Sequence, residues 1–260
     1  MDSGVARRPI EDMAKYIEHL EALQGRAYQI MRVLINKAKA NPKRIVFPEG
    51  DEEKILRAAQ IIIDEGIAEP ILIGEKEEIR AKIAELNLDL NSITIIDPRD
   101  NEKSEEYTQA YFKMRQRKGV TLAEARRTMS RNRNYFGAMM MQQGDADALL
   151  SGIDHHYPET IRPALEIIGK QEGLSKVHGM YMMVTKKEAV FFADTTVTIE
   201  PTPEELAECA ILTAQQARNF EVEPRVAMLS YSNFGSAIHP LTVKVQKATA
   251  LVKQLDPDLI

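Results

Sequence analysis

The sequence has very little cysteine and no tryptophan. Its single cysteine, Cys209, cannot form a disulfide within the chain and is typical of a protein from a reducing compartment. Aromatic residues make up only 6% of the chain, so platforms for stacking nucleic-acid bases are not expected. The longest apolar runs are much shorter than a bilayer-spanning helix, and the N-terminus lacks the apolar core of a signal peptide. We therefore expect a cytoplasmic protein.

The sequence also lacks the motifs of common nucleotide-binding folds and hydrolases. Neither a Walker-type Gly-Lys-Ser/Thr motif nor Gly-x-Gly-x-x-Gly is present, so a nucleoside triphosphatase or a dinucleotide-binding domain is unsupported. His155 and His156 are adjacent, and adjacent side chains rarely bind one ion, so no metal site is predicted. Ser151, His155 and Asp194 would suit a Ser-His-Asp hydrolase, but the Gly-x-Ser-x-Gly nucleophile elbow is missing. The formal charge of −5 gives no reason to expect nucleic acid or a membrane as a partner.

Between Lys43 and Leu150, short apolar segments alternate with amphipathic helical patterns. The predicted strands are 44–47, 70–74, 93–96 and 148–150, and the predicted helices are 52–65, 76–86, 104–116, 121–130 and 134–143. Asp51 is expected to cap the helix after the first strand. The alternation predicts right-handed βαβ units and a mostly parallel sheet covered on both faces. Ligands of such sheets bind at the carboxyl ends of the strands, which places 48–51, 97–100 and 151–158 on one rim.

After Gly173 the pattern becomes antiparallel. The segments Val177–Val184 and Ala189–Ala193 are joined by a short connection that is typical of a hairpin. A buried strand over 225–229 and helices over 206–220 and 241–255 follow. We place the domain boundary near Gly169–Gly173. The predicted organisation is a helical linker over 1–42, with helices at 11–23 and 27–40, a first domain over 43–172 and a second over 173–260.

Two polar loops follow strands and precede helices, which is the geometry that presents backbone N–H groups to an anion. In the first loop, an apolar run stops at Ser151-Gly152 and a helix begins near Pro158. The second loop is Ser230–Ser236. A guanidinium beside such a loop can fork onto phosphate or carboxylate. The sequence therefore predicts an anionic-ligand site in a cleft between the two domains, formed by arginines and hydroxyls: Arg115, Arg162, Ser151, Ser232 and Ser236.

With these residues assembled, the chain resembles the phosphate acetyl/butyryl transferases from about Arg44 to Ile260. The segments that carry the resemblance are Val46–Gly50, Met114–Gly119, Ser151-Gly152, Thr160–Pro163, Phe192–Asp194, Val226–Ser232 and Gly235-Ser236. The resemblance implies an isocitrate/isopropylmalate-dehydrogenase-like fold: two α/β domains with a cleft, dimerising through the second domain. It also implies exchange of CoA and phosphate on an acetyl group. Arg115 and Arg162 would hold the phosphate and the acyl carbonyl, with Asp194 and the Ser230–Ser236 loop in the same cleft.

The N-terminal segment indicates a more specific group of proteins that carry such a domain. Ser3–Ile10 looks like the end of the catalytic portion of the bacterial hybrid NADP-dependent malic enzymes, which carry a phosphotransacetylase-like domain behind the malate-oxidising part. Asp154–Pro158 also looks like their version of the loop. In these hybrids the appended domain is regarded as regulatory, with acetyl-CoA binding it and damping malate decarboxylation. NADP and a divalent metal are implied only for the malate-oxidising part, and self-association as a homodimer or higher oligomer is expected.

Two departures from the family pattern shape the functional hypotheses. The family continues beyond Ile260 with a tail that holds the aspartate thought to deprotonate the CoA thiol. We therefore name no general base and expect the second domain to be incomplete at its C-terminus. Tyr157-Pro158 would fill space and remove a donor where the transferases carry hydroxyls. The first hypothesis is an acetyl-CoA-sensing domain, the alternative is an active phosphate acetyltransferase, and a pure oligomerisation module is the third.

Overall fold

The computed structural model describes Asp12 and residues 30–185, 188–233 and 235–260. It divides the chain into two compact units. The sheet unit runs from Ile35 to Gln171, and the hairpin unit holds the remaining described residues, chiefly Glu172–Ile260. Residues 30–40 form helix α1, which ends before Asn41 as predicted. The helix expected at 11–23 lies outside the described residues, except for Asp12.

The sheet unit contains a four-stranded sheet in the order β3-β2-β1-β4, with every pair of neighbours parallel. Its strands are β1 (Arg44–Phe47), β2 (Glu69–Ile73), β3 (Thr94–Ile96) and β4 (Ala148–Leu149). The predicted parallel sheet is therefore confirmed. Because all carboxyl ends lie at one edge, the loops that begin at Pro48, Asp97 and Leu150 share the predicted rim.

Helices cover both faces of this sheet. They are α2 (Glu53–Glu65), α3 (Lys76–Glu85), α4 (Ser104–Arg115), α5 (Leu122–Arg131), α6 (Arg133–Gln142) and α7 (Tyr157–Ile167), with a short 3-10 turn at Gln116–Lys118. The neighbours Val46 and Phe47 in β1 point into different hydrophobic clusters, one packed by α4 to α7 and the other by α2 and α3. Thr121 and Glu124 form a capping box at the start of α5.

The predicted role of Asp51 as a helix cap is wrong. Helix α2 begins one residue later than expected, with Glu52 at the N-cap position and no side-chain capping bond. The Asp51 carboxylate instead forms an ion pair with Arg133, the first residue of α6. This charge-assisted bond occupies the carboxylate that would otherwise cap the helix.

The hairpin unit contains β5 (Met180–Val184) and β6 (Ala189–Ala193), paired antiparallel as predicted. Helices α8 (Pro203–Asn219) and α9 (Pro240–Leu255) pack together beside the hairpin. Thr202 and Glu205 form a capping box at the start of α8. Cys209 is only 3% exposed in α8, and burial raises the pKa of its thiol, so it has the packing role expected of a buried cysteine.

The buried strand predicted over Arg225–Leu229 is not formed, and that prediction is wrong. Within the described residues no strand is hydrogen-bonded to this segment, and Val226 N–H donates to the carbonyl of Ile260 at 2.7 Å. Leu229 is 79% exposed. A cavity of about 1100 Å³ lies between this segment, β6 and α8. A strand needs a hydrogen-bonded neighbour, which the apolar pattern of the sequence does not supply by itself.

A carboxylate on α8 fastens the segment that precedes β5. Glu208 accepts bonds from Ser175 Oγ at 2.7 Å and from the Ser175 backbone N–H at 2.9 Å, and His178 Nε2 lies 2.9 Å from its Oε1. Burial opposes the charge, but these bonds outweigh it and lower the pKa of Glu208 to about 2. The folded hairpin unit therefore stabilises the ionised form.

We expect Glu208→Gln to lower the free energy of unfolding of the hairpin unit by about 2 kcal/mol at neutral pH. A carboxyl whose pKa is depressed on folding contributes stability above its ordinary value of 4.5, and this contribution is lost as the pH falls towards about 2. Urea unfolding followed by circular dichroism should show the free energies of unfolding of the wild type and Glu208→Gln converging as the pH falls over that range. Glu204→Gln, an exposed change in the same helix, is the control with an expected change below about 0.5 kcal/mol. A Glu208→Gln deficit that stays constant across that range would contradict the prediction.

Candidate functional site

At the carboxyl edge of the sheet, Glu49 ties the loop after β1 to the loop after β4. Glu49 is 3% exposed, and its Oε1 accepts bonds from Ser151 Oγ at 3.0 Å and from Gly152 N–H at 2.9 Å. His155 Nδ1 lies 3.3 Å from the same oxygen. A buried carboxylate, rather than a cation, therefore holds the loop in which an anion site was predicted.

The loop enters α7 through a glycine turn and a proline. Gly152 has a φ of 122°, a conformation that favours glycine, and a Cβ there would lie 4.0 Å from Thr160 Oγ1. His156 is the N-cap residue of α7, and Pro158 lies in its first turn, as predicted. Because Pro158 has no N–H, this helix start offers an anion fewer donors than most.

Several buried polar atoms around this loop have no hydrogen-bond partner within the described residues. They are Glu49 Oε2, Thr160 Oγ1 and Arg115 Nε, with Asn134 Oδ1 on α6 as a fourth. Buried polar groups are nearly always paired with protein or water. The unpaired atoms therefore mark the surroundings of α7 as the part of the sheet unit where a ligand or ordered water would complete the hydrogen bonding.

Arg162 is an exposed cation on α7. Among the described residues, its guanidinium forms neither a hydrogen bond nor an ion pair. Other basic side chains on the rim are already paired: Arg133 with Asp51, and Arg99 with Asp97 and Glu75 at 2.8 Å each. Arg162 is thus positioned to bind an anion without first breaking an ion pair.

Unlike Arg162, Arg115 at the end of α4 is ion-paired and mostly buried. Its Nη2 lies 3.4 Å from Glu166 Oε1, and its side chain is 17% exposed. Glu166 Oε2 also accepts bonds from Tyr135 Oη at 2.9 Å and from Tyr111 Oη at 3.3 Å. Burial raises the pKa of both tyrosines and the neighbouring carboxylate raises it further, so the hydroxyls remain donors. Glu166 lies one turn after Arg162, so these two side chains project from the same face of α7.

The hairpin unit holds the other three predicted site residues. Asp194 follows β6 with a φ of 56° and lines the cavity beside α8. Ser232 is half-buried, and its Oγ accepts a bond from Ala237 N–H at 3.0 Å. Ser236 is exposed, and its N–H donates to the Asn233 carbonyl at 3.0 Å. The two serines lie in the loop before α9, where the sequence predicted them.

Sequence reasoning missed the two carboxylates that organise the sheet-unit site. Glu49 belongs to the quoted segment Val46–Gly50 but was given no role, although its position directly after a buried strand was a usable signal. Glu166 belongs to no motif, and its spacing from Arg162 was the only indication.

The described residues contain neither a cluster that would hold a metal ion nor a helix that would span a membrane. Nowhere in this part of the chain do three or more His, Cys, Asp or Glu side chains come together in a way that would hold a metal ion. No described helix has the length and apolar character that crossing a bilayer requires.

Comparison with known proteins gives this site its context. Residues 29–260 match the sequence profile of the family described as Phosphate acetyl/butaryl transferase. The chain is 36% identical to the NADP-dependent malic enzyme of Escherichia coli over 263 aligned residues, which cover 100% of the chain and 35% of that enzyme. The chain thus spans about a third of the length of this relative.

A phosphate acetyltransferase and a solved structure also match. The phosphate acetyltransferase of Bacillus subtilis is 42% identical over 223 residues, which cover 86% of the chain and 68% of that enzyme. The crystal structure of a phosphotransacetylase from Streptococcus pyogenes superposes with a TM-score of 0.82 at 36% identity, over 89% of the chain and 70% of that protein. The mixed α/β fold with its parallel sheet is therefore that of the phosphotransacetylases. By profile, sequence and fold, the chain belongs to the phosphate acetyl/butyryl transferase family.

Proposed function

We propose that the chain is a phosphotransacetylase-like domain that binds acetyl-CoA, or CoA with phosphate, and regulates an NADP-dependent malic enzyme of which it is a part. The observation that carries the proposal is Arg162. It is an exposed guanidinium with no partner in the described part of the chain, on the helix that follows the Ser151-Gly152 turn. An acyl-CoA or phosphate ligand supplies the anion that such a side chain binds.

The binding site comprises residues from both units. In the sheet unit these are Arg115, Arg162 and Ser151, and in the hairpin unit they are Asp194, Ser232 and Ser236. We propose an isocitrate/isopropylmalate-dehydrogenase-like arrangement in which the domains 43–172 and 173–260 border a cleft that holds the ligand. Residues 1–42 link this domain to the malate-oxidising part, which uses NADP and a divalent metal.

The sheet-unit contacts favour sensing over turnover. Ser151 Oγ donates to Glu49, Arg115 is paired with Glu166, and Pro158 lacks an N–H. These three features reduce the number of donors and the positive charge available to stabilise a phosphate leaving group and an oxyanion. Alignment with the Escherichia coli malic enzyme also covers 100% of the chain, including the residues before 29 that the family profile leaves out.

Regulation follows if acetyl-CoA binds two states of the parent enzyme with unequal affinity. A proposed homodimer or higher oligomer supplies such states, and we propose a cytoplasmic location.

The alternative function is an active phosphate acetyltransferase, which converts acetyl-CoA and phosphate to acetyl phosphate and CoA. The 42% identity with the Bacillus subtilis phosphate acetyltransferase favours this alternative.

Calorimetric titration with acetyl-CoA and an assay of acetyl-CoA formation from acetyl phosphate and CoA test these proposals. We expect the wild-type chain to bind acetyl-CoA without appreciable turnover. Arg162→Ala should weaken binding by at least about tenfold, because a charge-assisted hydrogen bond contributes about 1.5–3 kcal/mol. Arg131→Ala, which removes an exposed guanidinium from α5, is the matched control and should leave binding unchanged.

The possible outcomes separate the three hypotheses. Robust turnover that disappears in Arg162→Ala would replace the regulatory proposal with the active transferase. Absence of acetyl-CoA binding by the wild-type chain would indicate an oligomerisation module. Equal losses in Arg162→Ala and Arg131→Ala would show that general charge, rather than the predicted site, binds the ligand.

A further inference from the structure

The Glu49 carboxylate determines how Ser151 presents its hydroxyl group. Gly152 N–H lies 2.9 Å from Glu49 Oε1, and a backbone N–H can only donate, so this oxygen is an acceptor. Ser151 Oγ lies 3.0 Å from the same oxygen. The hydroxyl therefore donates its single hydrogen to Glu49, and its lone pairs are left for any other partner.

The surroundings of Ser151 also favour a hydroxyl that donates to Glu49 and accepts from another partner. Glu49 is 3% exposed, and its second oxygen is buried with no hydrogen-bond partner among the described residues. The turn is thus organised around a carboxylate, although an anion site was predicted there. Ser151 itself is half-buried. The ligand group that fits the Ser151 hydroxyl is a hydrogen-bond donor, whereas a phosphate oxygen would meet an acceptor there.

We propose that Ser151, oriented by Glu49, accepts a hydrogen bond from the thiol of CoA. The inference rests on the proposed function, and it specifies which part of the ligand the Ser151-Gly152 turn recognises. Ser151 contacts the ligand, and Glu49 is a positioning residue that acts through it. The phosphate-bearing part of the ligand then binds the arginines, whose positive charge complements its negative charge.

The proposal assigns the thiol, rather than another donor of CoA, to the Ser151 acceptor. Near neutral pH an unperturbed thiol is mostly protonated and can donate. It is also the donor that acetylation removes, so a serine acceptor here distinguishes CoA from acetyl-CoA. A site that senses the acetylation state of CoA requires this distinction.

Calorimetric titration with CoA and with desulfo-CoA, in which hydrogen replaces the thiol, tests the proposal. We expect the wild-type chain to bind CoA about fivefold more tightly, as one modest hydrogen bond allows. Ser151→Ala and Glu49→Leu should remove this preference, while Glu49→Gln should keep it because an amide oxygen still accepts from Gly152 and Ser151. Ser130→Ala, which removes a hydroxyl on α5, is the control and should keep the preference.

A merely structural role for Glu49 predicts that its variants weaken both ligands equally. Equal losses, or a fivefold preference that survives in Ser151→Ala, would overturn this assignment and leave the proposed function intact. A wild-type chain that binds both ligands with equal affinity would also overturn it. If the wild-type chain binds neither ligand, the proposed function fails and this assignment fails with it. Should Glu49→Leu not fold, the comparison of wild type with Ser151→Ala decides the question.

Discussion

Replacing Phe136 by alanine is expected to lower the free energy of unfolding of the sheet unit by about 4 kcal/mol. The ring is 0% exposed and meets Tyr107 edge-to-face, with 5.1 Å between the ring centroids. It belongs to the cluster that joins β1 and β2 to the helices on one face of the sheet. Removing it leaves a cavity among side chains from several elements, which cannot all move to fill it.

Urea unfolding followed by circular dichroism measures this effect, and two further variants define its cause. Phe136→Leu keeps most of the volume and should cost about 1.5 kcal/mol. Ile61→Ala, a truncation at a side chain that is 56% exposed on α2, should cost less than about 1 kcal/mol. A loss below about 1 kcal/mol for Phe136→Ala would show that the core can collapse around the missing ring.

The second large effect is expected at Gly50, between β1 and α2. A Cβ at this position would lie 2.8 Å from Leu72 Cβ, 2.9 Å from Ile73 O and 3.0 Å from Ile73 N. Two of these atoms are backbone of the adjacent strand, so the clash cannot be relieved by a side-chain rotation. We expect Gly50→Ala to cost about 3 kcal/mol, because overpacking next to rigid backbone forces the chain apart.

Gly74→Ala is the matched control for Gly50→Ala, since Gly74 follows the adjacent strand β2. Its Cβ would approach Ile79 Cδ1 at 2.9 Å and the Arg133 guanidinium at 3.4 Å, which are ends of flexible side chains. We expect a cost below about 1 kcal/mol, measured by the same urea unfolding. Equal costs for the two variants would contradict the explanation by backbone contact.

Gly50→Ala should also weaken CoA binding, because it displaces the neighbouring Glu49.

The parallel sheet could be predicted because its strands carry their own signal. Val46 and Phe47 are both apolar although they point to opposite faces, and this pattern is typical of a strand buried on both sides. The helix starts were equally readable where a capping residue stands at fixed spacing from a glutamate, as at Thr121. In these cases the physical cause of the structure lies within a few adjacent residues.

The features that could not be predicted depend on distant partners. Arg225–Leu229 has the composition of a strand, but strand formation requires a neighbour that the segment does not contain. Asp51 is well placed for capping, but Arg133, distant in sequence, binds it instead. The pairing of Arg115 with Glu166 and of Ser151 with Glu49 likewise arises only when separate elements pack together. For this reason the sequence indicated the arginines and hydroxyls but not the carboxylates that orient them.

The position of Cys209 makes alkylation of its thiol a measurement of motion in the hairpin unit. The chain contains this one thiol, and it lies in α8, within the hairpin unit. Alkylation of this thiol therefore reports on the hairpin unit, with no contribution from the sheet unit. A slower labelling rate in the presence of CoA would then report ligand protection of one half of the protein alone.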